Sequence, residues 1–128
     1  KLNIKNINTT NIFTLVDLSI STSKIKNDIN FTKNYDPSIP EFKLDASSFI
    51  KTLNSVFDAF KDKENVSCSI LLKIGEYIKI DNKKYSLISV EIASNEKSDF
   101  SSLNIKETNS FILTSDDTKV TIDLPLIL

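Results

Sequence analysis

Residues Asp45 to Lys61 read DASSFIKTLNSVFDAFK, and the fold is decided by how this stretch is read. Phe49, Ile50, Leu53, Val56, Phe57 and Phe60 fall at i, i+1, i+4, i+7, i+8 and i+11. At 3.6 residues per turn that spacing gathers the apolar side chains on one face of an α-helix. Asp45 precedes the run as an N-cap, its carboxylate able to accept a first-turn N–H. Lys61 and Lys63 stand at the far end, where positive charge suits the helix dipole. The predicted helix spans 45–61, and much of the remaining chain alternates with the period of β-strand.

Working outward, Glu41-Phe42-Lys43-Leu44 reads as a short strand leading into the helix, and Asp36-Pro37-Ser38-Ile39-Pro40 before it as the clearest break. Proline ends strand and helix alike, so 36–40 is a candidate internal boundary within one domain of 1–128. Upstream, Leu2 and Ile4 suggest an edge strand. Ile12, Val16, Leu18 and Ile20 share one face of a second predicted strand, with Phe13 and Leu15 on the other. Ile25, Ile29 and Phe31 support a weak strand or an ordered loop. Downstream, Val66, Cys68, Ile70, Leu72 and Ile74 define the most regular strand, whose face should lie on the helix. The chain's one glycine, Gly75, permits a bend or bulge before 77–80. Asp81-Asn82-Lys83-Lys84 turns a hairpin into 85–92, and residues 94–110 form a long polar excursion. Phe111–Thr114 and Lys119–Leu124 pair across a Ser115–Thr118 turn, burying Val120, Ile122 and Leu124. The expected class is α+β and β-rich: an antiparallel sheet or partly closed barrel with one amphipathic helix on it.

Composition excludes more than it proposes. With 128 residues and 40% hydrophobic content the chain can bury a core. No apolar run approaches the roughly 18 residues that span a bilayer, and no basic-then-apolar leader opens the chain. Net charge is −1, so no long-range field draws in nucleic acid, which is disfavoured as a partner. There is no His, and all 16 basic residues are lysine. The commonest general base and metal ligand is thus missing, and so is the bidentate fork for phosphate. Abundant Lys, Asn, Ile and Phe point to an AT-rich genome. A start at Lys1 implies a trimmed chain or a piece of a longer one.

No catalytic, cofactor or metal constellation emerges. Cys68 is alone, in phase with the apolar face, and reads as a small buried hydrophobe. Asp116-Asp117 with Asp123 lacks the spacing of an oxygen-ligand loop and reads as a turn. Asn8, Asn30 and Asn65 open glycosylation sequons of the kind that chance supplies in such a composition. Lys83-Lys84 with Tyr85 and Tyr77 reads as a solvated hairpin tip. The apolar end, Pro125, Leu126, Ile127 and Leu128, together with Tyr77 and Tyr85, is the candidate interface.

Two resemblances follow from these residues. The run from Leu72 to Val90, with Gly75-Glu76-Tyr77, the polar turn and Tyr85, resembles small β-barrel or β-sandwich modules of tailed-phage virion proteins. Residues 41–92, in their β-α-β-β-β order, resemble half of a sliding-clamp domain, with Lys51, Lys61 and Lys63 as the implied DNA-facing groups, interrupted by Asp58 and Asp62. The expectation is a non-enzymatic structural or assembly subunit of a virus or phage, oligomeric, using no cofactor and acting through contacts with other protein subunits. Its place would be the virion, or otherwise the cytoplasm. The alternatives are a clamp-like replication accessory module and a secreted or surface binding domain of an AT-rich microbe.

Overall fold

A computed structural model describes residues 7–23, 30–100, 103 and 111–128. In chain order the elements are β1 (Asn8–Thr10), α1 (Ile12–Thr22), β2 (Asn30–Tyr35), β3 (Phe42–Leu44), α2 (Ala46–Ala59), β4 (Asn65–Ile80), β5 (Lys83–Ala93), β6 (Ile112–Ser115) and β7 (Lys119–Pro125). The fold is α+β and strand-rich, with two helices on an open mixed sheet. Five strands run in the order β2-β4-β5-β7-β6, while β1 and β3 form a separate antiparallel pair.

The helix read from 45–61 is α2. Asp45 caps it, Oδ1 accepting from the Ser48 N–H at 3.2 Å. Phe49, Leu53, Val56, Phe57 and Phe60 are all 0% exposed. Fully burying each such side chain is worth about 1.5–3 kcal/mol, which fixes the helix on the sheet. The sheet answers with Val66, Cys68 and Ile70 of β4, Ile88, Val90 and Ile92 of β5, and Val120, Ile122 and Leu124 of β7. Phe31 of β2 meets Phe57 with ring centroids 6.3 Å apart.

Residues 12–20 depart from the expected strand and form α1. Ile12, Val16 and Ser19, at i, i+4 and i+7, are buried. Ile12, Val16 and Ile20 satisfy a period of two and a period of 3.6 alike, so alternation could not decide between them. Asn11 caps the helix, its Oδ1 accepting from the Thr14 N–H at 3.2 Å. Phe13, assigned to the far face of a strand, stacks on Tyr35 at 5.5 Å.

Of the expected sheet forms the open one is built, and it is mixed. Strand β2 runs parallel to β4 from Asn30↔Asn65 to Tyr35↔Ile70, so β3 and α2 make the crossover. The remaining pairs are antiparallel. The 66–74 and 77–80 strands are one element, β4, with a register shift between Lys73 and Tyr77. Gly75 sits in that irregularity at φ 85°. Asp81 and Asn82, at φ 49° and 68°, form the two-residue turn, a left-handed pair that matches strand twist. Pairing of β4 with β2 ends at Ile70, and pairing of β5 with β7 ends at Leu87. The hairpin therefore runs on beyond the sheet as a two-stranded ribbon. The expected strand at Leu2 and Ile4, the suggestion at Ile25 and Ile29, and most of 101–110 lie outside the described residues.

Candidate functional site

Helix α2 presents two faces. Opposite its buried phenylalanines, Asn54, Ser55 and Asp58 border an open depression of about 310 Å3, closed on the other side by Thr22 and Ser23 at the end of α1. Ser19, 0% exposed, donates its hydroxyl to Asn54 Oδ1 at 2.6 Å and ties the helices together. That bond fixes the carboxamide and leaves its N–H donors for another partner. Asp58 Oδ1 is enclosed and accepts no hydrogen bond among the described residues. Lys61 Nζ is 4.0 Å from it. The Asp58 side chain as a whole is half-exposed, and Lys61 is the cation that faces this oxygen. Sequence reading passed over Asn54, although the i, i+4 pair Asn54/Asp58 on the polar side of a strongly amphipathic helix was there to be read.

A second junction joins the turn after α2 to the segment after β5. The Glu64 N–H donates to Glu96 Oε2 at 2.9 Å, and Lys63 Nζ to the Lys97 carbonyl at 3.3 Å. Three of the segment's own amides are engaged: Ser94 to the Thr118 carbonyl at 2.9 Å, Ser98 to that of Asp117 at 2.7 Å, and Glu96 to Ser94 Oγ at 3.2 Å. Phe100 packs on Phe60 at 5.2 Å, and Phe111 meets Phe49 edge-on at 5.9 Å. Phe100 of this segment and Phe111 ahead of β6 thus lay their rings against phenylalanines of the α2 stretch.

Two further open depressions lie elsewhere. One, of about 440 Å3, is lined by Asn30, Thr32, Asn65, Ser67 and Ser94, which puts two sequon asparagines side by side. The other, about 530 Å3, lies at the start of α2 beside Asp45, Ser48 and Lys51.

Each residue singled out in the sequence has a definite place. Cys68 is buried, and burial pushes its thiol up to about 12. Asp116 folds back on its own turn, accepting from the Thr118 and Lys119 N–H groups at 2.9 Å each, which holds its carboxyl below the usual range. Asp123 accepts from Ser89 at 2.6 Å. No group of three or more acidic, Cys or His side chains gathers among the described residues. Lys84 Nζ lies 5.5 Å over the Tyr77 ring on the ribbon, where Tyr77 is exposed and Tyr85 half-buried. Pro125 ends β7 and is buried, and the Leu126 N–H donates to the Ser86 carbonyl at 2.9 Å. Ile127 bridges to Lys43 and is 8% exposed, whereas Leu128 is 77% exposed. The structure therefore draws Pro125 and Ile127 into the chain's own packing and leaves Leu128 and Tyr77 outside it. No described helix is long and apolar enough to cross a membrane.

The helix-on-mixed-sheet arrangement is that of histidine kinase catalytic domains. The catalytic domain of the histidine kinase ThkA, in a nucleotide-free form, matches at a TM-score of 0.58 and 14% identity, over 94% of this chain and 97% of that one. The histidine kinase domain of the E. coli osmosensor EnvZ matches at 0.52 and 12%, over 100% and 92%. The blue-light-activated histidine kinase of Erythrobacter litoralis matches at 0.51 and 12%, over 90% of this chain and 44% of that longer one. No family profile and no curated protein sequence matches the chain. At these identities the likeness establishes the fold.

That fold corrects the resemblances drawn from sequence. Residues 72–90 belong to the β4–β5 hairpin of the open mixed sheet, not to a phage virion module, and 41–92 are not half of a sliding clamp. Both misreadings rest on local order, since strand, helix, strand and hairpin recur in many folds. What separates them here is α1, which was read as a strand, and the parallel pairing of β2, of which only a weak strand or loop around Phe31 was read. The expectation of a viral structural or assembly subunit falls with them, as do the clamp-like and secreted-binding alternatives. So does the expectation of a non-enzyme, because the matching structures are kinase catalytic domains.

Proposed function

We propose that this chain is the catalytic-domain-type module of a histidine kinase signalling system, serving phosphoryl transfer at a histidine that lies outside it. The observation that carries the reading is the fold match to the ThkA catalytic domain along nearly the whole length of both chains. The sequence contains no His, so the acceptor imidazole belongs to another polypeptide or to another part of a longer one. Work on such an acceptor requires a docking contact with the polypeptide segment that carries it. Exposed Tyr77 and Leu128 are the apolar groups we assign to that contact. Residues 1–128 act as a single domain in this reading, with 36–40 an internal turn.

A nucleotide is the ligand such a fold implies, since one ThkA structure is described as its nucleotide-free form. Asp58 offers a carboxylate oxygen to a magnesium ion, and the Asn54 carboxamide, its oxygen held by Ser19, offers N–H donors to a phosphate. The rest of the fit fails among the described residues, because no glycine-rich loop or arginine is there to receive a triphosphate.

The test uses the parent polypeptide isolated from its own cells, assayed for acid-labile, base-stable phosphate on it and on proteins that co-isolate. The expected result is phosphohistidine that disappears when residues 7–128 are deleted. Its absence from the parent and every co-isolating protein, in cells whose other histidine kinases are labelled, overturns the reading.

A further inference from the structure

We infer that the projecting end of the β4–β5 hairpin docks an acidic polypeptide segment, with carboxylates over Lys79 and Lys84 and an apolar side chain against Tyr77 and Ile74. The inference rests on the kinase-type reading only for which polypeptide this is: there it is the one that carries the acceptor histidine.

The hairpin extends past its neighbours in the five-stranded sheet, whose pairings with it end at Ile70 and Leu87. Its register then sets Tyr77 opposite Ser86, Ile78 opposite Tyr85, Lys79 opposite Lys84 and Ile80 opposite Lys83. Directly opposed residues share a face of the ribbon. Tyr77, Lys79, Lys84 and Ser86 therefore lie on one side, and Ile78, Ile80, Lys83 and Tyr85 on the other. The second side is turned into the molecule's own packing, with Ile78 and Ile80 8% and 4% exposed. The first is open. Lys79 and Lys84 are exposed, Tyr77 is 59% exposed, and Ile74, at the bulge, is 91% exposed.

The open side is short of a carboxylate. Like charges directly across a strand pair are unfavourable, and Lys79 faces Lys84 in that position. Lys84 lays its ammonium over the Tyr77 ring, 5.5 Å from the centroid, which neutralises neither charge. Ion pairs among the described residues draw on Lys33, Lys61, Lys73 and Lys119, not on Lys79 or Lys84. A carboxylate set between these two ammonium groups turns one repulsion into two attractions. A polypeptide suits the place better than a bilayer or a nucleic acid. Residues 76–84 hold three lysines and two carboxylates, Glu76 and Asp81. A continuous phosphate surface would meet both carboxylates along with the lysines and gain little. Discrete carboxylates can address the Lys79–Lys84 side alone. Exposed ion pairs by themselves are worth little, and Ile74 and Tyr77 supply the apolar anchor such a contact needs.

The parent polypeptide is expressed in its own cells with photoreactive benzoylphenylalanine in place of Ile74, or, as a control, in place of the exposed Thr114 on β6. Crosslinked segments are mapped by mass spectrometry. The expected result from the first position is a crosslink to an Asp- or Glu-bearing segment outside residues 1–128, not formed from the second. It should fall by about tenfold or more in Lys79→Glu/Lys84→Glu and return when the partner's carboxylates are exchanged for lysine. In the chain itself, Lys79→Glu alone sets opposite charges across the ribbon and should raise the melting temperature by about 1–5 °C. An unchanged or lowered melting temperature overturns the inference. So does a crosslink that is absent, survives the double charge reversal, stays within residues 1–128, or runs to lipid or nucleic acid. Phosphohistidine without the crosslink would sink this inference and leave the kinase reading standing, and the crosslink without phosphohistidine would do the reverse.

Discussion

The bond between Ser19 and Asn54 predicts an asymmetry that a simple contact picture would miss. Ser19 Oγ is buried on α1 and donates at 2.6 Å to Asn54 Oδ1, whose residue is exposed on α2. Ser19→Ala removes the donor, but the carboxamide regains water, so the loss is that of one net hydrogen bond, about 0.5–1.5 kcal/mol. Asn54→Ala leaves a hydroxyl enclosed without its acceptor. Its cost is that of an unsatisfied buried group, about 1–3 kcal/mol, less whatever the hydroxyl recovers by turning to a carbonyl of its own helix. The double variant removes both partners and should sit near Ser19→Ala, about 1 kcal/mol, well short of the sum. Urea unfolding gives the ordering through the midpoint at unchanged m. Thermal melts should separate the single variants by about 4 °C. A Ser19→Ala loss equal to or larger than that of Asn54→Ala would refute the reasoning, as would a double variant costing the sum of the singles.

Other outcomes follow from named groups. Gly75→Ala should cost about 1 kcal/mol by chemical denaturation, all of it from φ 85°, because no atom stands where the Cβ would go; a D-alanine placed there by synthesis should cost nothing measurable. The Cys68 thiol, pushed up to about 12 by burial first and by nearby Asp17 second, should not react with a thiol reagent at pH 8 until the chain unfolds. The unfolded chain gives up that proton near 9.0 and the folded chain near 12, so stability should fall as pH rises between them, and Cys68→Ala should flatten that limb. Asp116 is held below its ordinary 3.8, first by the Thr118 N–H and then, against a burial penalty, by the Lys119 N–H. Its contribution is present above 3.8 and lost as pH falls through the folded value, so Asp116→Asn should remove part of the acid dependence of unfolding.

The polar edge of α2 was half legible. Asp58 was visible as a charge among lysines, whereas Asn54 looked like ordinary surface. Its significance comes from Ser19, which is 35 residues away and lay in a stretch read as strand. The clamp of Glu64 to Glu96 was illegible for the same reason, since it spans 32 residues and neither glutamate belongs to a motif. The fate of the apolar end also needed three dimensions. A run of Leu124-Pro125-Leu126-Ile127-Leu128 states a need for cover, and only the pairing of Ile127 with Lys43 says where much of that cover is found.

What the amino-acid order determined alone is what repeats locally. The six-residue apolar face and Asp45 specify α2, alternation specifies β4, β5 and β7, and Gly75, Asp81 and Asn82 mark where the backbone bends. These are short-range demands of backbone geometry and burial, met whatever the partners are. The tertiary structure decided between helix and strand for 12–20, where both periods fit Ile12, Val16 and Ile20, and packing against α2 selected the helix. It also decided that β2 runs parallel beside β4, and hence which fold the same local pieces build. Strand order and direction are set by which buried faces meet across long separations, and no local pattern in the chain encodes them.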